Sequence, residues 1–343
     1  MSELRQNLVN KEWVAIAAQR GKKPNQILPE APRHSKPEHP YESHCPFCPG
    51  NEEKFGIEED FKISDSAGLW QVRTIENKFG IFSDFDSCPD TLSPFEREGI
   101  YQKYTGCGNH EVVIETRRHD QVIAELSDAE ISRILSLYVS RYQVLRKNPN
   151  NLIAFIFKNY GVLAGQTQPH SHSQIVGSRV VPQYIRSLLH EAERHFDAYG
   201  SCVICDTLVF ERQEGKRIVT ENEDYILFVP FAASSEHATW ICPKRHVADI
   251  SGLAGAPLDN LARILKDAFS RYQQLMGNPD FNYVFRTAPY ALENAPFYHW
   301  YIEILPRTKI SGGFERATRL PVNTVLPEES AKLLRECHHE IQK

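Results

Sequence analysis

The sequence predicts an α+β fold built twice, an antiparallel sheet covered by helices. Three observations predict it. Motifs in the first half return in the same order in the second. Each half carries one long helix with a single apolar face. The segments around that helix are short, apolar and rich in β-branched residues, as buried strands are. The chain has 343 residues, 41% hydrophobic and 24% charged. That is enough apolar material for two cores of ordinary size, and it excludes disordered and fibrous classes.

The N-terminal stretch lacks the apolar segment of a signal peptide, and no apolar run approaches the ~20 residues a membrane span requires. A soluble, cytoplasmic protein is therefore expected. Residues 20–44, rich in Pro, Lys and His, read as an extended arm. Cys45-Pro-Phe-Cys48 follows and is echoed by Cys202-Val-Ile-Cys205; Glu76-Asn77 is echoed by Glu221-Asn222. The strand-like stretch from His110 to His119 is echoed from His237 to His246. A helix then opens at Ser127-Asp128-Ala129-Glu130, a capping-box pattern, with Ile131, Ile134, Leu135, Tyr138, Tyr142 and Leu145 on one face. Its counterpart starts near Pro257 and stops at Gly277-Asn278-Pro279. It repeats Arg-Ile-Leu and Ser-Arg-Tyr-Gln at matching places (Arg133 and Arg263, Ser140 and Ser270). Each half closes on a strand, residues 169–176 in the first and 298–305 in the second. Residues 177–200 join the halves through a helix, and the domains are drawn as 1–190 and 191–343.

Eight cysteines are too sparse for a disulfide scaffold, and four of them form two Cys-x-x-Cys pairs, which in a reducing compartment point to metal. Zinc takes thiolate and imidazole in a tetrahedron. Cys45, Cys48, His119 and His170 offer one such set; Cys202, Cys205, His246 and His299 offer a second. Four protein ligands leave no open coordination position, so both metals are expected to be structural.

On a strand, residues two apart share a face, so His170 can bind metal while His172 reaches a pocket. Neutral imidazole is a competent nucleophile toward phosphorus, and Gln174 can donate a hydrogen bond to a phosphate oxygen as charge develops there. The corresponding residues of the second half are His299, Tyr301 and Glu303. Only the first half is expected to be catalytic, through His172 with Gln174.

The order Cys-Pro-x-Cys, Glu-Asn, Glu-x-x-x-His and Pro-His-x-His-x-Gln, in a duplicated chain ending in Gly-Gly-Phe-Glu, resembles the galactose-1-phosphate uridylyltransferase branch of the histidine-triad superfamily. The resemblance spans nearly the whole chain. It implies two tandem histidine-triad-like domains, structural Zn2+ and a homodimer. It also implies ping-pong nucleotidyl transfer in galactose metabolism. In that scheme His172 takes the nucleotide of a nucleoside diphosphate sugar and passes it to a second sugar 1-phosphate. Asn77 and Phe79 resemble the segment that holds the nucleoside. Asn159, Gly161, Gln166 and Thr167 resemble the loop around the nucleotide phosphates, with Gln166 in place of Cys or Ala and Thr167 in place of Ser. Arg20 and Lys23 resemble a basic arm reaching a neighbouring subunit. Lys309, Gly313, Phe314 and Glu315 resemble a tail that grips the sugar and its phosphate in a site shared between subunits.

Three rivals stand beside this reading. The first is adenylyl transfer from ADP-glucose to phosphate, the ADP-glucose phosphorylase reaction, in which the same motif serves. The second is hydrolysis of the nucleotidyl-histidine, against which the sugar-gripping tail counts. The third is a zinc-ribbon protein binding nucleic acid or a partner. Thirty-nine Lys and Arg against 44 Asp and Glu, a net charge of −5, count against nucleic acid.

Overall fold

A computed structural model of the chain describes residues 2–22, 36–57, 59–85, 88 and 96–337. Ten strands form one continuous sheet in which every neighbouring pair is antiparallel. In spatial order the first half contributes Glu59–Ser64, Trp70–Glu76, Gly108–Ile114, His172–Ser178 and Ile153–Tyr160. The second half contributes Ile218–Glu221, Tyr225–Phe228, Thr239–Pro243, Tyr301–Pro306 and Phe281–Arg286. Each half therefore arranges its strands 1-2-3-5-4, and the halves join where Ile153–Tyr160 pairs with Phe281–Arg286. The duplication seen in the sequence is a duplication of topology.

The two long helices, Asp128–Arg146 and Ala256–Met276, lie on one face of this sheet. Ser127 caps the first: its side chain accepts from the Glu130 N–H while the Glu130 carboxylate accepts from the Ser127 N–H, satisfying donors that the first turn leaves orphaned. All six residues expected on its apolar face are buried, each contributing about 1.5–3 kcal/mol where it is an aliphatic core side chain. The second helix follows Gly255, at φ +60°, and ends at Gly277, at φ +78°.

The opposite face is covered differently in each half. Cys45, Phe47 and Cys48 pack with Trp70, Ile75, Val112 and Ile114 over the first. Helices Gln183–Tyr199 and Val203–Glu214 cover the second, burying Leu188, Ile204 and Leu208 against Phe228 and Trp240. A small sheet of Glu3–Gln6, Trp13–Ile16 and Val322–Asn323 ties the two ends of the chain together.

Several sequence expectations are corrected. The closing strands begin at His172 and Tyr301, so His170 and His299 sit in the lead-in and not on the strand itself. Position 190 falls inside helix Gln183–Tyr199; the first half's last sheet strand in sequence ends at Ser178. Glu76-Asn77 and Glu221-Asn222 are not equivalent, because the first follows the second strand of its half and the other follows the first strand. Cys88 and Cys107, given no role in the sequence reading, form a disulfide. Of the arm, residues 23–35, Lys23 included, lie outside the described residues. Among the described residues, no helix is long and apolar enough to cross a membrane.

Candidate active site and metal centres

Strand parity organises the site. In Ile153–Tyr160, the residues Ala154, Ile156 and Tyr160 join the helix-side core, which sends Phe157 and Asn159 to the other face. Val112 and Ile114 lie on that same outer face, packed with Cys45 and Cys48. His110 shares their parity, and His172 and Gln174 pair with Ile114 and Val112 in the neighbouring strand.

Both proposed metal sets come together. In each, one ligand atom from every residue lies within 4.8 Å of all the others. In the first set, His170 Nδ1 is 3.6 Å from both Cys45 Sγ and Cys48 Sγ, and His119 Nδ1 is 3.5 Å from Cys48 Sγ. In the second, Cys205 Sγ is 3.4 Å from His246 Nδ1 and 3.5 Å from His299 Nδ1. A tetrahedron with metal–sulfur bonds near 2.3 Å and metal–nitrogen bonds near 2.05 Å has a sulfur–nitrogen edge of about 3.5 Å. The observed spacings fit such an ion. His170 Nε2 donates to the Thr116 carbonyl at 2.8 Å, which leaves the Nδ1 lone pair facing the sulfurs. Burial pushes the Cys45 thiol up to about 12 and His170 down to about 4. A cation at the centre would reverse the first effect by stabilising thiolate. The two sets differ in framework. The first cysteine pair sits in a turn, whereas Cys202 is the N-cap of helix Val203–Glu214 and Cys205 lies in its first turn.

His172 is buried, with Phe47 from the first cysteine loop edge-on to its ring at 5.3 Å. Its Nδ1 donates to the His170 carbonyl at 2.8 Å, so Nε2 carries the lone pair. Burial lowers the His172 pKa, keeping the ring neutral near pH 7. Gln174 lies beside it, Oε1 2.7 Å from His110 Nε2. Asn77 Oδ1 accepts from the Phe79 N–H, and the Phe79 ring stands 91% exposed. A cleft of about 390 Å³ beside Asn77 and His110 is lined also by Phe82, Asn109, Arg141 and Asn148, and neither His172 nor Gln174 is among its lining residues. In the second half Tyr301 stacks near Trp240, and Glu303 is bound by Arg286 at 2.6 Å, so the counterpart of Gln174 is already paired.

The remaining expected residues are placed as follows. Asn159 Oδ1 accepts from Asn282 Nδ2 at 2.8 Å on the outer face. Gly161 has φ +86°, and a Cβ there would lie 2.0 Å from the Asp280 carboxylate, so only glycine fits. Gln166 closes the loop on itself, its Oε1 accepting from the Gly161 N–H at 2.7 Å, while Thr167 is exposed. Arg20 is exposed in a 3-10 turn, Ala18–Lys22. Among the described residues, no hydrogen bond or ion pair links the tail to His172 within the chain. Among the described residues, Lys309 bonds the Val322 carbonyl, and Glu315 accepts from the Gly312 N–H at the start of helix Gly313–Thr318. Phe314 is 57% exposed.

Beneath the His172 strand lies a network that the sequence reading missed. Lys158 and Glu115, both wholly buried, form an ion pair. Lys158 Nζ also donates to Ser171 Oγ at 2.9 Å and to the His172 carbonyl at 3.1 Å. Ser171 Oγ donates to Glu115 at 2.7 Å, and the hydroxyls of Tyr138 and Tyr283 lie 3.2 and 3.4 Å from the other carboxylate oxygen. Burial opposes ionisation of Glu115, but the Lys158 ammonium and the serine hydroxyls outweigh it and hold the carboxyl below its ordinary range. A signal was present: Lys158 has the inward parity of Ala154, Ile156 and Tyr160, where a charge requires a buried partner.

Fold and site together define a class: a tandem duplication of one five-stranded unit, with a histidine at the start of the fifth strand in only one copy. The chain belongs to the galactose-1-phosphate uridylyltransferase family. Residues 1–182 match the model of the galactose-1-phosphate uridyl transferase N-terminal domain, and residues 180–311 match that of the C-terminal domain. It is 30% identical to the ADP-glucose phosphorylase of Arabidopsis thaliana, over 97% of this chain and 92% of the relative. It is 28% identical to the galactose-1-phosphate uridylyltransferase of Thermotoga maritima, over 99% of this chain and 100% of the relative. The crystal structure of an Arabidopsis thaliana ADP-glucose phosphorylase with bound ADP-glucose superposes with a TM-score of 0.84 at 28% identity, covering 98% of each chain.

Proposed function

We propose that this chain is a nucleotidyltransferase of the galactose-1-phosphate uridylyltransferase type, acting through a nucleotidyl-histidine at His172. One observation carries the reading: His172 has its Nδ1 hydrogen committed to the His170 carbonyl and its Nε2 lone pair free, with Gln174 beside it, in one half of a duplicated sheet. Nε2 attacks the α-phosphorus of a nucleoside diphosphate sugar. A nitrogen–phosphorus bond forms, the phosphorus–oxygen bond to the sugar phosphate breaks, and the electron pair leaves with the sugar 1-phosphate. The His170 carbonyl stabilises the positive charge that the imidazole acquires, and Gln174 donates to a non-bridging oxygen. A phosphorylated acceptor reverses the step. Phe79 and Asn77 hold the nucleoside, and Asn159 with the Gly161–Thr167 loop lies along the phosphates.

Cys45, Cys48, His119 and His170 hold one Zn2+, and Cys202, Cys205, His246 and His299 hold a second; each ion supplies cross-linking and no reactive position. The first anchors the His170 carbonyl and Phe47, and through them the ring of His172. Lys309, Gly313, Phe314 and Glu315 serve the sugar phosphate of a partner subunit in a homodimer, with Arg20 and Lys23 reaching across. The exposed Phe314 supports this placement. The protein works in the cytoplasm.

Uridylyl transfer between UDP-glucose and galactose 1-phosphate is the primary assignment, supported by the family match. Adenylyl transfer from ADP-glucose to phosphate is a second reading, favoured by the Arabidopsis relative. Intact-protein mass after brief mixing with UDP-glucose or with ADP-glucose, without acceptor, separates them. A uridylyl-sized adduct that is lost in His172→Gly is expected. An adenylyl adduct alone makes adenylyl transfer the reaction, and no adduct from either defeats the proposal.

A further inference from the structure

Gln174 can help a phosphate only if its N–H2, not its carbonyl oxygen, faces that phosphate. The two ends of an amide are nearly equal in size, and a flip turns a donor into an acceptor. Something must choose. The chain of hydrogen bonds behind Gln174 starts from a backbone N–H, whose polarity is fixed. The backbone N–H of Ile81 donates to His110 Nδ1 at 2.9 Å. That nitrogen therefore carries a lone pair, which excludes both the Nδ1–H tautomer and the imidazolium. The hydrogen of the neutral ring must sit on Nε2, 2.7 Å from the Gln174 side chain. The atom receiving it can only be the amide oxygen. Asn77 Nδ2 lies 3.2 Å from the same His110 nitrogen and could donate to it only in the other tautomer; the shorter contacts, Ile81 N–H to Nδ1 at 2.9 Å and Nε2 to Gln174 at 2.7 Å, select the tautomer with the hydrogen on Nε2. Burial also lowers the His110 pKa, consistent with a neutral ring.

Resting on the nucleotidyl-transfer reading, we propose that His110 is a positioning residue: it relays the polarity of the Ile81 N–H to Gln174 and so turns the amide's donor end toward the phosphate. The sequence marks His110 only as the start of a repeated segment. Its place one strand away from Gln174, on the same face, gives it this role.

The test is a double-variant cycle on the first half-reaction, formation of the nucleotidyl-protein, with the metal-loaded full chain. Gln174→Leu removes the donor and should slow the step at saturating sugar nucleotide by about 10²–10³-fold. His110→Leu leaves the amide free to flip and should slow it by roughly 10-fold or more, mainly in the rate and less in KM. The double variant should be no slower than Gln174→Leu, because His110 acts only through Gln174. His110→Gln, which offers an oxygen to Ile81 and an N–H2 to Gln174, should restore most of the rate. Independent, multiplying effects of the two leucine variants would overturn the inference. So would a His110→Gln variant as slow as His110→Leu while melting like the wild type. Absence of any adduct in the wild-type protein would defeat the nucleotidyl-transfer reading itself, a different result from a wild-type adduct with a failed cycle.

Discussion

Lys158→Met isolates the buried ion pair beneath the His172 strand. The Lys158 and Glu115 side chains are both fully excluded from solvent. Methionine fills much the same volume but leaves Glu115 with one serine and two tyrosine contacts and no counter-charge. Breaking a buried pair from one side costs about 3–5 kcal/mol, because the remaining charge is stranded in a medium of low polarity. An unfolding entropy near 2.1 cal/mol/K per residue gives roughly 0.7 kcal/mol/K for the whole chain, so the midpoint of thermal unfolding should fall by about 4–7 °C. Lys158→Met with Glu115→Gln removes the stranded charge and should recover most of that loss. Calorimetry of the four proteins, all with metal bound, measures the cycle. A Lys158→Met midpoint within a degree of the wild type would refute the reasoning. A double variant no more stable than the single would refute it equally, since the cost would then lie in packing and not in charge. The Lys158 bond to the His172 carbonyl predicts a second effect: nucleotidyl-protein formation should slow even in the stability-restored double variant.

Two further outcomes follow from the same geometry. Cys45→Ser should lower bound zinc by close to one ion per chain and lower the melting temperature with it, and should also slow nucleotidylation through the displaced Phe47; metal analysis showing unchanged zinc would remove Cys45 from the first centre. Acid should destabilise the protein from below pH 6.5: burial holds His110, His119, His170 and His172 below their ordinary value, so the unfolded chain binds protons that the folded chain refuses, and stability falls as pH falls. With His170 at about 4, that residue alone contributes about 2 kcal/mol of loss by pH 5. Metal release adds to it with the same sign. Urea midpoints that stay level between pH 7.5 and 5 would contradict this.

What the sequence determined by itself was whatever local periodicity and order encode. Ser127 and Glu130 specify a helix start within four residues, and the spacing of Ile131, Ile134 and Leu135 specifies its buried face. Repetition in order named both four-ligand sets, because duplicated topology carries equivalent residues to equivalent places. Residue alternation put His170 and His172 on one side even though only His172 is in the strand. Tertiary structure alone decided what depends on partners distant in the chain. The inward parity of Lys158 calls for a buried partner, but only the fold supplies Glu115; His110 has no evident role until Ile81 and Gln174 fix its tautomer; and Cys88 meets Cys107 only in the folded chain. The joining of the halves edge to edge at Ile153–Tyr160 and Phe281–Arg286 is of the same kind, since a strand's sequence sets its faces but only the folded sheet chooses its neighbour.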